Sequence, residues 1–500
     1  MTGTSLWLRT AQPTTWPSLH GEHHADVAVI GGGIVGVTTA FLLAERGRSV
    51  ALLDAGKVAS GVTGHTTAKV TVGHGLKYAT LTERHGESTA KAYADANQQA
   101  LIWMRRTVHG FGINCDWTEA DNTIWAESGT QSEWLAHEAD AARSAGLAVS
   151  QTGQDGVPFD VTSALVYRDQ AHFHPHRYLT GLLHAAPQGV RVFEHSPVHS
   201  VTPKAPHHVA TDAGVVSADH VVVATHFPIL DRGMAFALVH PYREYVITGR
   251  ARTPVHGMHV SAGSPTRSVR PAWDGDTQLV VVSGEKHRTG EGGDTAERYA
   301  RLEAWAVQRL GMSEIRDRWS SQDCYPVDDL PLIGPMEQRD PTLLTATGFA
   351  AWGMTGGTMA ARILADRITD VANPFASVFD PSRGAATNAP AGTVEENVPA
   401  GIHMVTDHAK AWSTSPEELE PGEGRLASRG VTPVAAYRDD DGTLHEVSAR
   451  CTHLGCLVAF NTAERTWDCP CHGSRFATDG SVLHGPATEP LDPPDPSEGV

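Results

Sequence analysis

The chain has 500 residues, too many for one hydrophobic core, and at roughly 150 residues per domain it should fold as two to four units. Its apolar share of 40 % and charged share of 19 % are those of an ordinary globular protein. A formal net charge of −18 with no basic tract argues against nucleic acid as a partner.

In chain order, residues 1–24 hold Trp7, Pro13, Trp16 and Pro17 without a period and read as an irregular arm packed on the next domain. Residues 26–56, DVAVIGGGIVGVTTAFLLAERGRSVALLDAG, read as strand, helix, strand. The eighteen uncharged residues from Val27 to Ala44 are long enough for a membrane span, but the glycines at 31–33 argue for a tight turn. No transmembrane segment is expected. No basic, apolar and small-residue leader is seen, so a cytoplasmic location is expected.

Helical spacing comes next at 77–109 and 131–145, and 165–186 runs from a strand or loop into a helix near Pro175. Residues 190–225 alternate like strands and end in HVVVATH. Further strands are expected at 244–249 and 278–284, and a helix at 296–310. TLLTATGFAAWGMTGGTMAARILADRI (342–368) reads as strand, glycine-rich turn, helix. Residues 373–400 have linker composition. From 401 the helical period disappears and short strands alternate with turns. The expected domains are an arm (1–24), a domain mixing α/β and antiparallel parts (25–372), a linker (373–400) and an all-β domain (401–500).

Gly31, Gly33 and Gly36 form G-x-G-x-x-G between an apolar strand and a helix. Glycine permits the turn, the approach of backbone to a pyrophosphate, and close helix–strand packing. Asp54 ends the next strand, where a carboxylate can accept from ribose hydroxyls. Gly348, Gly356 and Gly357 mark a second glycine-rich turn far downstream. A long ligand touched by both turns suits FAD better than NAD. The small, polar stretch 59–71, with Ser60, His65 and Thr66, would let a ring system lie against backbone.

Four of the six cysteines lie between 451 and 471. CTHLGC (451–456) and CPCHGS (469–474) each offer Cys and His. Structural zinc sites usually pair Cys with Cys and His with His. One of each per loop suits a 2Fe-2S cluster with two thiolates on one iron and two imidazoles on the other, zinc and a metal-free disulfide hairpin being the alternatives.

Residues 25–370 resemble the D-amino-acid oxidase superfamily of flavoproteins. DVAVIGGGIVGVTTAFLLAERG, LLDAGKVASG, VVVATH, DDLPLIGP and TATGFAAWGMTGGTMAARILAD carry the resemblance. It implies an α/β FAD-binding Rossmann-like domain with an inserted antiparallel substrate sheet, and oxidation of a C–N bond by hydride transfer to FAD. Arg270, beside Pro271, matches the carboxylate-clamping arginine of amino-acid-oxidising relatives, although Ala272 departs from their pattern. SGVTGH (60–65) is similar to the segment carrying a flavin-linked His, which makes His65 a candidate for a covalent bond or a pocket wall. Tyr242, Tyr245, Arg270, His287 and Tyr325 are the catalytic candidates, all expected to border the substrate face of the flavin.

Residues 400–495 resemble the Rieske domain of cytochrome bc and b6f complexes. The resemblance implies cluster ligands Cys451, His453, Cys469 and His472 and a disulfide between Cys456 and Cys471. Ser474 matches a hydroxyl donor to the cluster, Phe476 replaces the usual Tyr, and Gly485-Pro486 matches the third loop covering the cluster. Exposed imidazoles at the cluster edge would be the electron exit. Together the halves suggest that a small amine-type substrate reduces FAD, which passes electrons singly through the cluster to an external one-electron partner. Two other readings are a redox sensor or electron-transfer protein without a substrate, and a Rieske oxygenase using histidines of HGEHH (20–24) or HFHPH (172–176).

Overall fold

The structure is a computed structural model. It describes residues 3–494 except 155, 231, 233, 234, 292, 384–414 and 431.

The strand Gly21–Ile30 is the centre of an eight-stranded sheet. It pairs in parallel with Val50–Leu53 on one side and Gly214–Val223 on the other. Val190–Phe193 and Asp340–Thr347 extend the sheet in parallel, and Leu332–Glu337 closes one edge antiparallel. Parallel strands are covered on both faces, which is why Val27–Ile30 and Val50–Leu53 are uninterrupted apolar runs. The helix Ile34–Glu45 is apolar all round because it lies between this sheet and the helix Gly353–Ile368.

A second, nine-stranded sheet is built mainly from antiparallel pairs, including Val239–Arg250 with Thr277–Arg288 and Ser313–Pro326. The helix Ala296–Leu310 covers one of its faces and buries Leu302, Ala306 and Leu310. The C-terminal part is all β, a three-stranded and a four-stranded antiparallel sheet.

The helical expectation for 77–109 resolves into Lys77–His85 and Glu87–Phe111, broken at Gly86, whose φ of +82° glycine tolerates. The segment expected to be an irregular arm contains a short helix, Leu6–Arg9, capped by Ser5, and the central strand already starts at Gly21. Trp7 is buried and donates from Nε1 to the Thr66 carbonyl at 2.6 Å. Most of the expected linker, 384–400, lies outside the described residues. Among the described residues no helix is long and apolar enough to cross a membrane.

Candidate functional site

A cavity of about 670 Å³ opens between the two sheets. At one end stands the first glycine turn. Gly31 has φ +110°, and a Cβ there would lie 2.5 Å from the Ala224 oxygen. A Cβ on Gly36 would lie 1.9 Å from the Gly31 oxygen, so the helix meets the turn only because no side chain intervenes. Asp54 accepts from the Gly32 amide at 2.7 Å and the Gly56 amide at 2.8 Å. Burial nevertheless holds its carboxyl above the ordinary range, and the two amides oppose that shift. Gly33, Asp54, Ser60, His65 and Thr66 line this end. His65 Nδ1 donates to the Gly61 carbonyl at 2.8 Å, since a carbonyl can only accept. Burial lowers the His65 pKa, which favours the neutral imidazole.

The second glycine turn contributes differently from expectation. Gly356 and Gly357 are packing glycines. A Cβ on Gly357 would meet Ile34 at 2.8 Å, so this glycine lets two helices touch, and one on Gly356 would meet Phe349 of the preceding turn at 2.9 Å, so that glycine lets the turn fold against its own helix. Gly348 takes φ +80° in the turn. The cavity wall there is Phe349, Ala351, Gly353 and Met354 instead.

The other end of the cavity is the second sheet. Tyr242 and Tyr325 meet edge to face at 4.9 Å, and Lys286 Nζ stands 4.4 Å from the Tyr325 ring centre. The Glu244 carboxylate accepts from Ser283 Oγ at 3.0 Å, and burial raises its pKa. Glu244, Ser283 and Lys286 carry no motif. Only the pairing of neighbouring strands, with a register shift between Arg243 and Tyr245, gathers them.

Three catalytic expectations are corrected. The Arg270 guanidinium is 1 % exposed and donates to the carbonyls of Thr67, Pro271 (3.1 Å) and Phe173 (3.2 Å), with its face 4.7 Å from the Trp7 ring centre. It ties three backbone carbonyls together and does not line the cavity. Tyr245 and His287 do not line the cavity. They stack at 5.7 Å, joined by a 3.1 Å hydrogen bond, and Tyr245 belongs to the core cluster of the helix Ala296–Leu310. Strand alternation puts Tyr242 and Glu244 on one face and Tyr245 on the other.

The two Cys/His loops come together in the C-terminal part. Cys456 and Cys471 form a disulfide. Cys469 lies within 4.8 Å of both of its sulfurs, but sulfurs bonded to each other offer no thiolate to a metal. Cys451 and Cys469 are free, buried and hydrogen-bonded to each other. That bond, first, and the Ser474 hydroxyl help hold the Cys451 thiol below the ordinary cysteine range. The imidazoles of His453 and His472 meet edge to face, 4.9 Å apart. Two buried thiols beside two imidazoles fit the donor set of an iron–sulfur cluster with mixed ligands.

The imidazoles are half-buried, and the ring of Phe227 lies 5.5 Å from His472 and 6.5 Å from His453. Each imidazole therefore keeps part of its surface open while packing on the flavin domain. The preceding residue, His226, lines the cavity. Buried charge holds this seam. Arg243 Nη1 lies 3.3 Å from Glu464 and its Nε 3.6 Å from Asp468, while Gln322 Nε2 donates to the Gly473 carbonyl at 2.9 Å. Two of the histidines considered for a mononuclear iron do other work. His172 stacks on Trp273, and His174 caps the helix Pro175–Ala185.

A dinucleotide-type turn joined to a substrate-side sheet, with a mixed Cys/His cluster beside it, defines a flavin oxidoreductase carrying an iron–sulfur centre. Residues 26–367 match the FAD dependent oxidoreductase family and 411–495 match the Rieske [2Fe-2S] domain. The chain belongs to the FAD-dependent oxidoreductases, with a Rieske domain at its C-terminal side, and its cofactors are FAD and a 2Fe-2S cluster. It is 34 % identical over 97 % of its length, and 96 % of the relative's, to YhfW of Bacillus subtilis, described as a Rieske 2Fe-2S iron-sulfur protein. A stretch covering 14 % of the chain is 44 % identical to a cytochrome b6-f complex iron-sulfur subunit of Nicotiana tabacum, of which it spans 32 %. The fold is similar to that of glycine oxidase from Geobacillus kaustophilus, with TM-score 0.60 and 18 % identity over 72 % of this chain and 99 % of that one.

Proposed function

We propose that the chain oxidises a small amine or amino-acid-like molecule at the sheet end of the cavity and delivers the electrons singly, through the cluster, to an external one-electron acceptor. When bound, FAD supplies a two-electron acceptor and the cluster a one-electron carrier. In this reading Gly31, Gly33, Gly36 and Asp54 hold the dinucleotide. Cys451 and Cys469 bind one iron, and His453 and His472 the other. Glu244 takes up the ammonium proton of the substrate, a role its raised pKa suits. Lys286 and the pair Tyr242–Tyr325 stand beside it on the same sheet face. A cytoplasmic location is part of the proposal and is tested by cell fractionation.

The observation that carries the reading is Phe227, one residue from the cavity wall and in ring contact with both imidazoles. That contact supports direct transfer between the two centres.

The test is anaerobic addition of sarcosine, dimethylglycine, glycine or proline to the purified protein. Bleaching of the flavin together with growth of an EPR signal of average g below 2 is expected. If both centres are present and no amine reduces either, the amine reading fails. Rapid reduction by a protein partner would then favour an electron-transfer role without a substrate.

A further inference from the structure

The two sheets of the flavin domain do not enclose the cavity by themselves. One wall is made by the Rieske domain, through residues 481–485, 487, 488 and 490. Three contacts lay this stretch along the rim. His484 Nε2 stands 3.4 Å from His226 Nδ1, a Cβ on Gly485 would lie 3.4 Å from Ile229 Cγ2, and Glu489 Oε1 lies 3.8 Å from His199 Nδ1. His199, His226 and Ile229 line the same cavity as Gly31, Gly33 and Asp54.

We propose that the Rieske domain is a latch on the flavin cofactor: FAD is enclosed jointly by both domains and enters or leaves only when the Rieske domain lifts from the flavin domain. The inference rests on FAD occupying this cavity and is independent of the substrate. Here a second domain, later in the chain, roofs the cavity, so tight FAD binding has to wait until that domain has folded and docked.

What fastens the latch lies behind the cavity wall, with Arg243 alone of the network also lining the cavity. Glu464 accepts from Ser320 Oγ at 2.6 Å and from Arg243 and Arg475, and Asp468 accepts from Arg475 Nε at 2.9 Å. Thr295 Oγ1 donates to Asn461 Oδ1 at 2.7 Å. Arg243, Glu464 and Asp468 are 1 %, 5 % and 2 % exposed. Removing one member of such a network leaves the others buried and uncompensated, which favours separation of the surfaces. The rest of the seam has little slack, since a Cβ on Gly473 would come within 2.7 Å of Pro241 Cβ.

The experiment uses the full chain loaded with FAD and cluster, with no substrate. Release is read as the rise of free-FAD fluorescence after dilution. Glu464→Gln, at a position that does not line the cavity, is expected to speed release by about tenfold or more, a modest part of the effect of stranding a buried charge. A second variant pins the latch. Ile229→Cys with Gly485→Cys sets two thiols against each other across the rim, where a Cβ at 485 would lie 3.4 Å from Ile229 Cγ2. Once oxidised, and confirmed by thiol titration, it is expected to stop release over the time in which the wild type loses its flavin, and reduction should restore release. FAD leaving the oxidised double variant at the wild-type rate would overturn the proposal. So would an unchanged release rate in Glu464→Gln. Neither readout needs turnover, so failure of amine oxidation and failure of the latch are separate results.

Discussion

The ring of Phe227 lies 5.5 Å from the imidazole of His472, with Phe227 itself 2 % exposed. Truncating a buried phenylalanine costs about 3–5 kcal/mol. Phe227→Ala is therefore expected to lower the melting temperature and to slow cluster reduction relative to flavin reduction. Stopped-flow spectra that follow both centres after anaerobic reduction check this. Unchanged transfer kinetics would remove Phe227 from the path.

Arg270 ties three backbone carbonyls from inside the protein. Arg270→Met strands those acceptors and is expected to cost roughly 3 kcal/mol. Denaturant unfolding reads the loss. Flavin reduction by a carboxylate-bearing amine should keep its concentration dependence in whatever protein remains folded. A selective rise in that dependence, with stability intact, would restore the clamp.

The Ser474 hydroxyl hydrogen-bonds Cys451 and also accepts from the Ala487 amide at 3.0 Å. Donors to cluster sulfurs raise the potential. Ser474→Ala is expected to lower it by roughly 60 mV, a charged hydrogen bond of about 1.5 kcal/mol expressed for one electron. Because Phe476 supplies no hydroxyl, the wild-type potential should itself fall below that of Rieske proteins with Tyr there. Protein-film voltammetry of both forms decides.

Lys69 is 7 % exposed and hydrogen-bonds Ser268. Burial, then the charge of Arg270, lowers its pKa from 10.5 to about 7. Between those values the unfolded chain binds the extra proton, so this residue makes stability rise with pH from about 7 to 10.5. The stability of the wild type relative to Lys69→Met should therefore climb across that window, by up to about 5 kcal/mol. Urea unfolding at a series of pH values measures it. A flat difference would show that the ammonium is solvated.

Local chemistry made part of this molecule readable in advance. The turn at Gly31–Gly36 and the loops at 451–456 and 469–474 announce themselves because their backbone geometry or donor spacing lies within a few consecutive residues. The same holds for the apolar runs of the parallel sheet. Tertiary structure decided the rest. Arg270 has the sequence setting of a clamp, but Trp7 and three carbonyls surround it. Tyr245 and Tyr242 are three positions apart in a single strand, yet alternation sends them to opposite faces. Gly357 serves helix packing on Ile34 and Gly356 the fit of the turn at Phe349, neither of which adjacent sequence reveals. Glu244 and Lys286 meet only through strand pairing. The contact of Phe227 with the imidazoles, and the Rieske wall of the cavity, join residues more than two hundred positions apart, a separation at which sequence spacing carries no geometric information.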